Sequence, residues 1–113
     1  MHNTIVELPG FIKKSDKILS DGERNNLIYY LSLHPKSGVI LKGTGGIRKL
    51  RWASKGRGKS GGLRVIYFYY NPDLPLFLLT LFSKGEKANI NNSERNELAK
   101  LTDVLVSNYT RKK

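Results

Sequence analysis

Seven basic side chains lie close together in the middle of this sequence, and their types and spacing are suited to binding phosphate. They are Arg48, Lys49, Arg51, Lys55, Arg57, Lys59 and Arg64. No acidic residue occurs between Glu23 and Asp73, so nothing nearby in the sequence neutralises this charge. Arginine and lysine donate charge-assisted hydrogen bonds to phosphate oxygens. The segment therefore indicates a polyanionic partner; a solvated basic face without a ligand is the alternative.

The stretch ASKGRGKS, residues 53–60, ends in the Gly-Lys-Ser of a nucleotide-binding P-loop, but its context argues against an NTPase. That motif requires a glycine at the position of Ala53 and a helix directly after Ser60. Here two glycines and a sequence typical of a strand follow. We interpret the stretch as a hairpin tip in which Lys55, Arg57 and Lys59 contact phosphates. A solvated loop without a ligand is the alternative.

The composition predicts one domain with no metal site and no cofactor. At 113 residues the chain can bury a single core but not the wide parallel sheet of a P-loop enzyme. The formal net charge of +11 agrees with a nucleic-acid partner. Cysteine is absent, and the two histidines, His2 and His34, are too far apart in the sequence to suggest a metal site.

The sequence also predicts a cytoplasmic protein with no membrane contact. No apolar run approaches the roughly 20 residues that span a bilayer. The first residues, MHNTIVELPG, lack the basic and then apolar order of a signal peptide.

The hydrophobic periodicity predicts an α+β domain in the order β-α-α-β-β-β-α. A strand at about residues 3–8 precedes a short helix and then a second helix, which starts at the capping box Ser20–Glu23 and stops near His34. Strands are expected at 47–53, 63–70 and 76–82, with the last two at the sheet centre, and a final helix from Asn92 or Ser93.

In the strand at 47–53, Leu50 and Trp52 alternate with Lys49 and Arg51. Successive side chains of a strand point to opposite faces, so one face is expected to be apolar and the other basic. We assign Trp52 to the core on this alternation.

The segment GTGGIRKLRWASKGRGKSGGLRVIYFYY, followed by LFLLTLFSKGEKANI, resembles toxins of the RelE superfamily, and specifically the HigB-type branch of bacterial type II toxin–antitoxin systems. The most specific pieces are GTGG-(apolar)-RK, GG-x-R-V-I-Y and apolar-TL-(aromatic)-x-K-x-E, in that order. The resemblance implies a single RelE-like domain over residues 1–113. Its fold would be a small, mostly antiparallel four-stranded sheet with helices packed on one face.

The resemblance also implies an activity and its residues. Such relatives are metal-independent, ribosome-dependent endoribonucleases that cleave mRNA, inhibit translation and are neutralised by a cognate antitoxin. Arg64 matches the catalytic arginine of the GG-x-R piece, Lys84 lies where this branch places a second functional cation, and Glu86 would be its partner. The residues assigned to the phosphates of messenger and ribosomal RNA are Lys49, Arg51, Lys55, Arg57 and Lys59.

The general base that takes the proton of the ribose 2′-hydroxyl stays open. Relatives often have a histidine or tyrosine just after the last strand, where this chain has Ser83, Lys84 and Lys87. A lysine base would need its neutral form favoured by neighbouring positive charges. The alternatives are the strand tyrosines Tyr67, Tyr69 and Tyr70, as proton-transfer groups or stacking platforms, although aromatic residues in strands more often belong to the core.

Two other classes of function compete with the nuclease. One is a non-enzymatic inhibitor in the same superfamily, similar to the gyrase-poisoning ParE relatives, and the other is a plain nucleic-acid-binding module. For the toxin, we expect an acidic or amphipathic antitoxin segment to cover the basic surface, because free toxin would otherwise compete for RNA.

Overall fold

The computed structural model describes residues 3–53, 62–83, 85 and 89–110. Its strands and helices are β1 (Ile5–Glu7), α1 (Pro9–Ile18), α2 (Asp21–Leu33), β2 (Val39–Ile40), β3 (Ile47–Trp52), β4 (Leu63–Phe68), β5 (Leu76–Ser83) and α3 (Asn92–Thr110). The strands form one sheet in the order β1-β5-β4-β3-β2. β1 is parallel to β5, and every other pair is antiparallel.

The helix ends follow the local sequence signals. The Ser20 hydroxyl accepts a hydrogen bond from the Glu23 N–H at 3.2 Å, and the Glu23 carboxylate accepts from the Ser20 N–H at 2.9 Å, which confirms the capping box. α2 ends at Leu33 with His34 as its exposed C-cap, and α3 begins at Asn92, both as predicted. Among the helices that the structure describes, none is long and apolar enough to cross a bilayer.

The sheet has a hydrophobic core on each face. From β4, Leu63, Val65 and Tyr67 pack with residues of α1 and α2, whereas Ile66 and Phe68 pack on the other face under α3. This division follows from the alternation of side chains along a strand. β4 is the middle strand and is paired on both sides, which confirms its predicted place at the centre together with β5.

The prediction of a four-stranded sheet with helices on one face is wrong. β2 adds a fifth strand, and its two exposed residues are too few to produce a periodic pattern. The sheet is mixed because the chain crosses over through α1, α2 and the β2–β4 strands before β5 pairs in parallel with β1. The helices cover both faces because β4 and β5 are apolar on both sides, and each side needs a cover.

Tyr67 of β4 is fully buried and holds the connection between α2 and β2. Its hydroxyl donates to the Pro35 carbonyl and accepts from the Gly38 N–H, each at 2.8 Å. A Cβ atom at Gly38 would lie 2.9 Å from the Tyr67 hydroxyl oxygen, so the backbone needs a glycine at this close approach. Burial raises the pKa of Tyr67, which disfavours the phenolate. Tyr67 therefore belongs to the core, as is usual for a strand aromatic.

Replacing Tyr67 by phenylalanine removes both hydrogen bonds and keeps the ring. We expect Tyr67→Phe to lower the free energy of unfolding by about 1–3 kcal/mol, because the Pro35 carbonyl and the Gly38 N–H lose a buried partner. Urea unfolding at neutral pH measures the loss. Tyr70→Phe is the matched control, since the Tyr70 side chain is 49% exposed.

The raised pKa of Tyr67 provides a second readout of the same variant. The fold favours the neutral phenol of Tyr67. Its contribution to the free energy of unfolding is therefore present below the ordinary tyrosine pKa of about 10 and is lost as the pH rises through the folded-state pKa. The stability difference between the natural protein and Tyr67→Phe should therefore shrink above about pH 10. An equal loss of stability in Tyr70→Phe would contradict the role given to Tyr67.

Candidate nucleic-acid interface

Arg51 of β3 lies directly opposite Arg64 of β4 in the sheet. Residues opposite each other in an antiparallel pair point to the same face, with Cβ atoms roughly 4.5–5.5 Å apart. Arg64 alternates in step with Ile66 and Phe68, so both arginines lie on the α3 face. Like charges in this position repel each other. An anion held between the two guanidinium groups would remove that repulsion.

Lys49 extends the arginine pair along the same face of β3. It lies two residues before Arg51 and opposite Ile66. Its Nζ donates a hydrogen bond to Asn89 Oδ1 at 3.3 Å, just before the start of α3. The positive end of the α3 dipole therefore lies on the same side of the sheet as the three cations. We call Lys49, Arg51 and Arg64 the cationic row; the sequence predicted all three as site residues, and the structure brings them together.

The cationic row lies where three strands end. Trp52, Leu63 and Ser83 are aligned across β3, β4 and β5, one position beyond Arg51 and Arg64. On the β5 side, Arg64 pairs with the buried Phe82. The apolar core under α3 thus extends up to the arginine pair, and the row marks its boundary.

Gly62 determines how the chain enters β4. Its φ is +58°, and a Cβ atom there would lie 2.6 Å from the Trp52 carbonyl oxygen. Only glycine tolerates this backbone and this approach. The second glycine of the GG-x-R piece therefore lets β4 pair with the end of β3 and places Arg64 opposite Arg51. Sequence alone marked the glycine pair but not this reason for it.

Arg48 belongs to a different environment from the cationic row, although the sequence groups it with these cations. It lies opposite Tyr67, on the face covered by α1 and α2. Its Nη1 donates to the Lys36 carbonyl at 3.1 Å and to the Gly38 carbonyl at 2.8 Å. Arg48 therefore holds the connection before β2. Asn89, in contrast, joins the row through Lys49, and no sequence pattern pointed to it.

Five predicted site residues lie outside the described residues, so their roles stay predictions. They are Lys55, Arg57, Lys59, Lys84 and Glu86. Of the tyrosines considered as proton-transfer groups, Tyr67 and Tyr69 are buried and Tyr70 is exposed. Among the residues that the structure describes, no group of histidine and carboxylate side chains is placed to hold a metal ion.

Comparisons with known proteins give the family and the fold. The family model described as the RelE toxin of the RelE/RelB toxin–antitoxin system matches residues 37–112, which include the cationic row. A mutant of the Escherichia coli toxin RelE in its free state is similar in structure, with a TM-score of 0.57 at 17% sequence identity over 88% of this chain and 95% of that one. This likeness shows the fold.

A weaker structural match is a copper-bound mutant toxin from Helicobacter pylori. It has a TM-score of 0.40 and 22% sequence identity, and the match covers 74% of this chain and 97% of that one. A likeness of this size supports no argument about the present chain.

Substituting Gly62 tests how the row is positioned. We expect Gly62→Ala to lower the free energy of unfolding by roughly 1–3 kcal/mol, because the new methyl group meets the Trp52 carbonyl at a positive φ. Gly22→Ala is the control, since a Cβ atom added there, in the first turn of α2, would meet no atom within 4 Å apart from its chain neighbours and the backbone of its own helix. There, alanine should raise stability by up to about 1 kcal/mol. Chemical denaturation compares them; a Gly62→Ala protein as stable as the natural one would contradict this account.

Removing one charge of the arginine pair tests the repulsion. We expect Arg51→Gln to raise the free energy of unfolding by roughly 0.2–1 kcal/mol at low ionic strength. The gain should disappear at about 1 M salt, where the screening length falls to about 3 Å. Lys42→Gln makes the same charge change at an exposed position in the turn after β2. Equal gains in both variants would show an effect of net charge and would contradict a specific repulsion between Arg51 and Arg64.

Proposed function

This chain belongs to the family of RelE toxins of RelE/RelB toxin–antitoxin systems, and from that premise we propose that it is a ribosome-dependent endoribonuclease that cleaves messenger RNA. The observation that carries the proposal is the arginine pair Arg51–Arg64, continued by Lys49 on one face of the sheet. These cations lie in a stretch without acidic residues. A phosphodiester is the ligand that such an arrangement suits. We also propose that the chain is of the HigB type and acts in the cytoplasm.

In the proposed reaction, Arg64 binds the scissile phosphate. The ribose 2′-oxygen attacks phosphorus and loses its proton to a base, the bond to the 5′-oxygen breaks, and an acid returns a proton to that oxygen. Negative charge increases on the phosphate oxygens as the 2′-oxygen bond forms. The planar guanidinium of Arg64 can donate to two of these oxygens at once, which stabilises the transition state more than the ground state.

The other proposed site residues have supporting roles. Lys49 and Arg51 hold phosphates beside the scissile one, together with Lys55, Arg57 and Lys59 of the β3–β4 connection. Lys84 supplies a second cation at the same phosphate, and Glu86 is its partner. Phosphate contacts position an RNA strand but do not read its sequence, so codon choice would come from the ribosome-bound message.

Translation in vitro with primer-extension mapping of the message tests the nuclease. We expect the natural protein to cut messages only when ribosomes are present, and Arg64→Ala to cut them about 10²–10³-fold more slowly. Lys13→Ala is the control, because it removes one positive charge from an exposed position of α1. Its cutting should match that of the natural protein.

The other outcomes of this experiment support different functions. Translation arrest without cuts would favour a non-enzymatic inhibitor of the same superfamily. Tight, salt-sensitive binding to naked nucleic acid that Arg64→Ala leaves unchanged, with neither arrest nor cuts, would favour a nucleic-acid-binding module.

The proposed antitoxin covers the cationic row with an acidic or amphipathic segment. We expect the double variant Lys49→Gln/Arg51→Gln to bind the cognate antitoxin about tenfold or more weakly at low salt, because the charges across the interface no longer match. Calorimetric titration at several salt concentrations measures the affinity. An antitoxin that binds this variant and the natural protein equally well would bind elsewhere on the toxin.

A further inference from the structure

A depression of about 380 Å³ lies at the C-terminal end of α2, on the face of the sheet opposite the cationic row. It is lined by Tyr30, Leu33, His34, Pro35, Lys36 and Ser37. The volume falls within the range of roughly 300–1,000 Å³ typical of small-ligand pockets. Neither the family chemistry nor the cationic row accounts for it.

The rings of Tyr30 and His34 form one wall of the depression, and Trp52 lies next to Tyr30 outside its lining. The ring centroids of Tyr30 and His34 are 4.8 Å apart, and those of Tyr30 and Trp52 are 5.3 Å apart. Tyr30 and Trp52 pack against the core of this face, whereas His34 is exposed. Nucleobases stack on tyrosine and histidine rings whatever the base, because every base has a π face.

Two basic side chains lie at the depression. Lys36 is exposed at its rim, and the Arg48 guanidinium lies behind it, donating to the Lys36 carbonyl. All the lining residues fall in the stretch between Glu23 and Asp73 that has no acidic residue. The lining residues include no acidic side chain, so a phosphate group beside the aromatic wall would meet Lys36 without a carboxylate of the lining competing for it.

The loop that forms the other wall is fixed by the sheet. Tyr67 bonds to the Pro35 carbonyl and the Gly38 N–H, and Arg48 bonds to the Lys36 and Gly38 carbonyls. Two strands thus each contribute a side chain to hold residues 35–38. A ligand that binds here does not have to order the loop, and a preorganised site binds more tightly for that reason.

We propose that this depression binds a nucleotide of an RNA strand, with its base against Tyr30 and His34 and its phosphate on Lys36. The choice of RNA as ligand rests on the proposed function. Arg51 and Trp52 are consecutive residues of β3 on opposite faces, and the Trp52 ring lies next to Tyr30 of the depression, so the cationic row and the depression lie on the two sides of the same strand. The depression would hold a nucleotide away from the one that is cut.

Nuclear magnetic resonance of the histidine side chains tests the base site directly. The chain has two histidines, so the Cε1–Hε1 region contains two signals, with His2 as an internal control. Titration with adenosine monophosphate should move the His34 signal upfield, since a stacked base shields the ring proton. Ribose 5-phosphate, which lacks the base, should not. Equal responses to both would reveal a phosphate site only, and no response to either would mean no site; each result overturns the proposal.

Variants then measure the contribution of the aromatic wall. We expect His34→Ala to weaken binding of adenosine monophosphate about fivefold or more by calorimetry. Tyr29→Ala removes an aromatic that is 60% exposed on the same helix but does not line the depression, and should leave the affinity unchanged. Unchanged affinity in His34→Ala would overturn the proposal.

Arg64→Ala separates this inference from the proposed nuclease. The shift of the His34 signal with adenosine monophosphate should be the same in Arg64→Ala, because the two sites are on opposite faces, and its loss would assign the nucleotide to the cationic row instead. Cutting that depends on Arg64 with no nucleotide response at His34 would retain the nuclease and reject the base site. Nucleotide binding at His34 without cutting would retain the base site and reject the nuclease.

A short oligonucleotide distinguishes an RNA strand from a free nucleotide. The tetranucleotide of adenylate should bind more tightly than the mononucleotide and with a steeper salt dependence, because more phosphates are neutralised. Equal affinities and equal salt dependence would assign the depression to a free nucleotide and overturn the RNA strand as its ligand.

Discussion

The register of β3 on β4 is the constraint on which both the core and the candidate site depend. The pairs run without interruption from Ile47–Phe68 to Trp52–Leu63. The register that sets Leu50 against Val65 under α1 and α2 also sets Arg51 against Arg64 on the other face. A slip of one residue would turn apolar side chains to water and cations into a core. The apolar pairs therefore keep Arg51 and Arg64 opposite each other, although their like charges repel.

The extent of α3 decides how much of its face is core and how much is open to a ligand. Near the C-terminal end of this helix the Tyr109 ring lies edge-on to the Phe77 ring, with ring centroids 5.2 Å apart. In the middle of the helix the Thr102 hydroxyl donates a hydrogen bond to the Thr44 carbonyl at 3.3 Å. At its start the contact changes to a polar one, between Lys49 and Asn89. The core of this face continues as far as the buried Ile90, two residues before the helix begins. The cationic row lies at this end of the core, so the apolar core borders its cations on one side only.

The sequence predicted best what short-range chemistry determines. The two ends of α2 follow from a capping box and a proline, and both signals lie within four residues of the boundary they set. The common face of Lys49 and Arg51 follows from alternation along one strand. The opposition of Arg51 and Arg64 could not be predicted in this way, because it depends on a register that the backbone conformation at Gly62 helps to fix. The two-residue β2 and the cover on both faces depend equally on tertiary pairing.

Many basic residues are close together in the middle of the sequence, but in the structure fewer of them are available to any one ligand. Three cations within four residues of β3 have different surroundings: Arg51 is exposed, Lys49 is tied to Asn89, and Arg48 points to the other face and holds a loop. The net charge of the segment does not separate these roles. Alternation along the strand does, because Lys49 and Arg51 are two residues apart and share a face, whereas Arg48 is next to Lys49 and lies on the opposite face. The same alternation places positive charge on both faces of β3. Lys49 and Arg51 of the cationic row lie on one face, and Arg48 lies on the other, behind the depression. Arg48 already donates to two backbone carbonyl groups, so alternation along β3 leaves Lys49 and Arg51, which share one face, as the candidates for binding a phosphate.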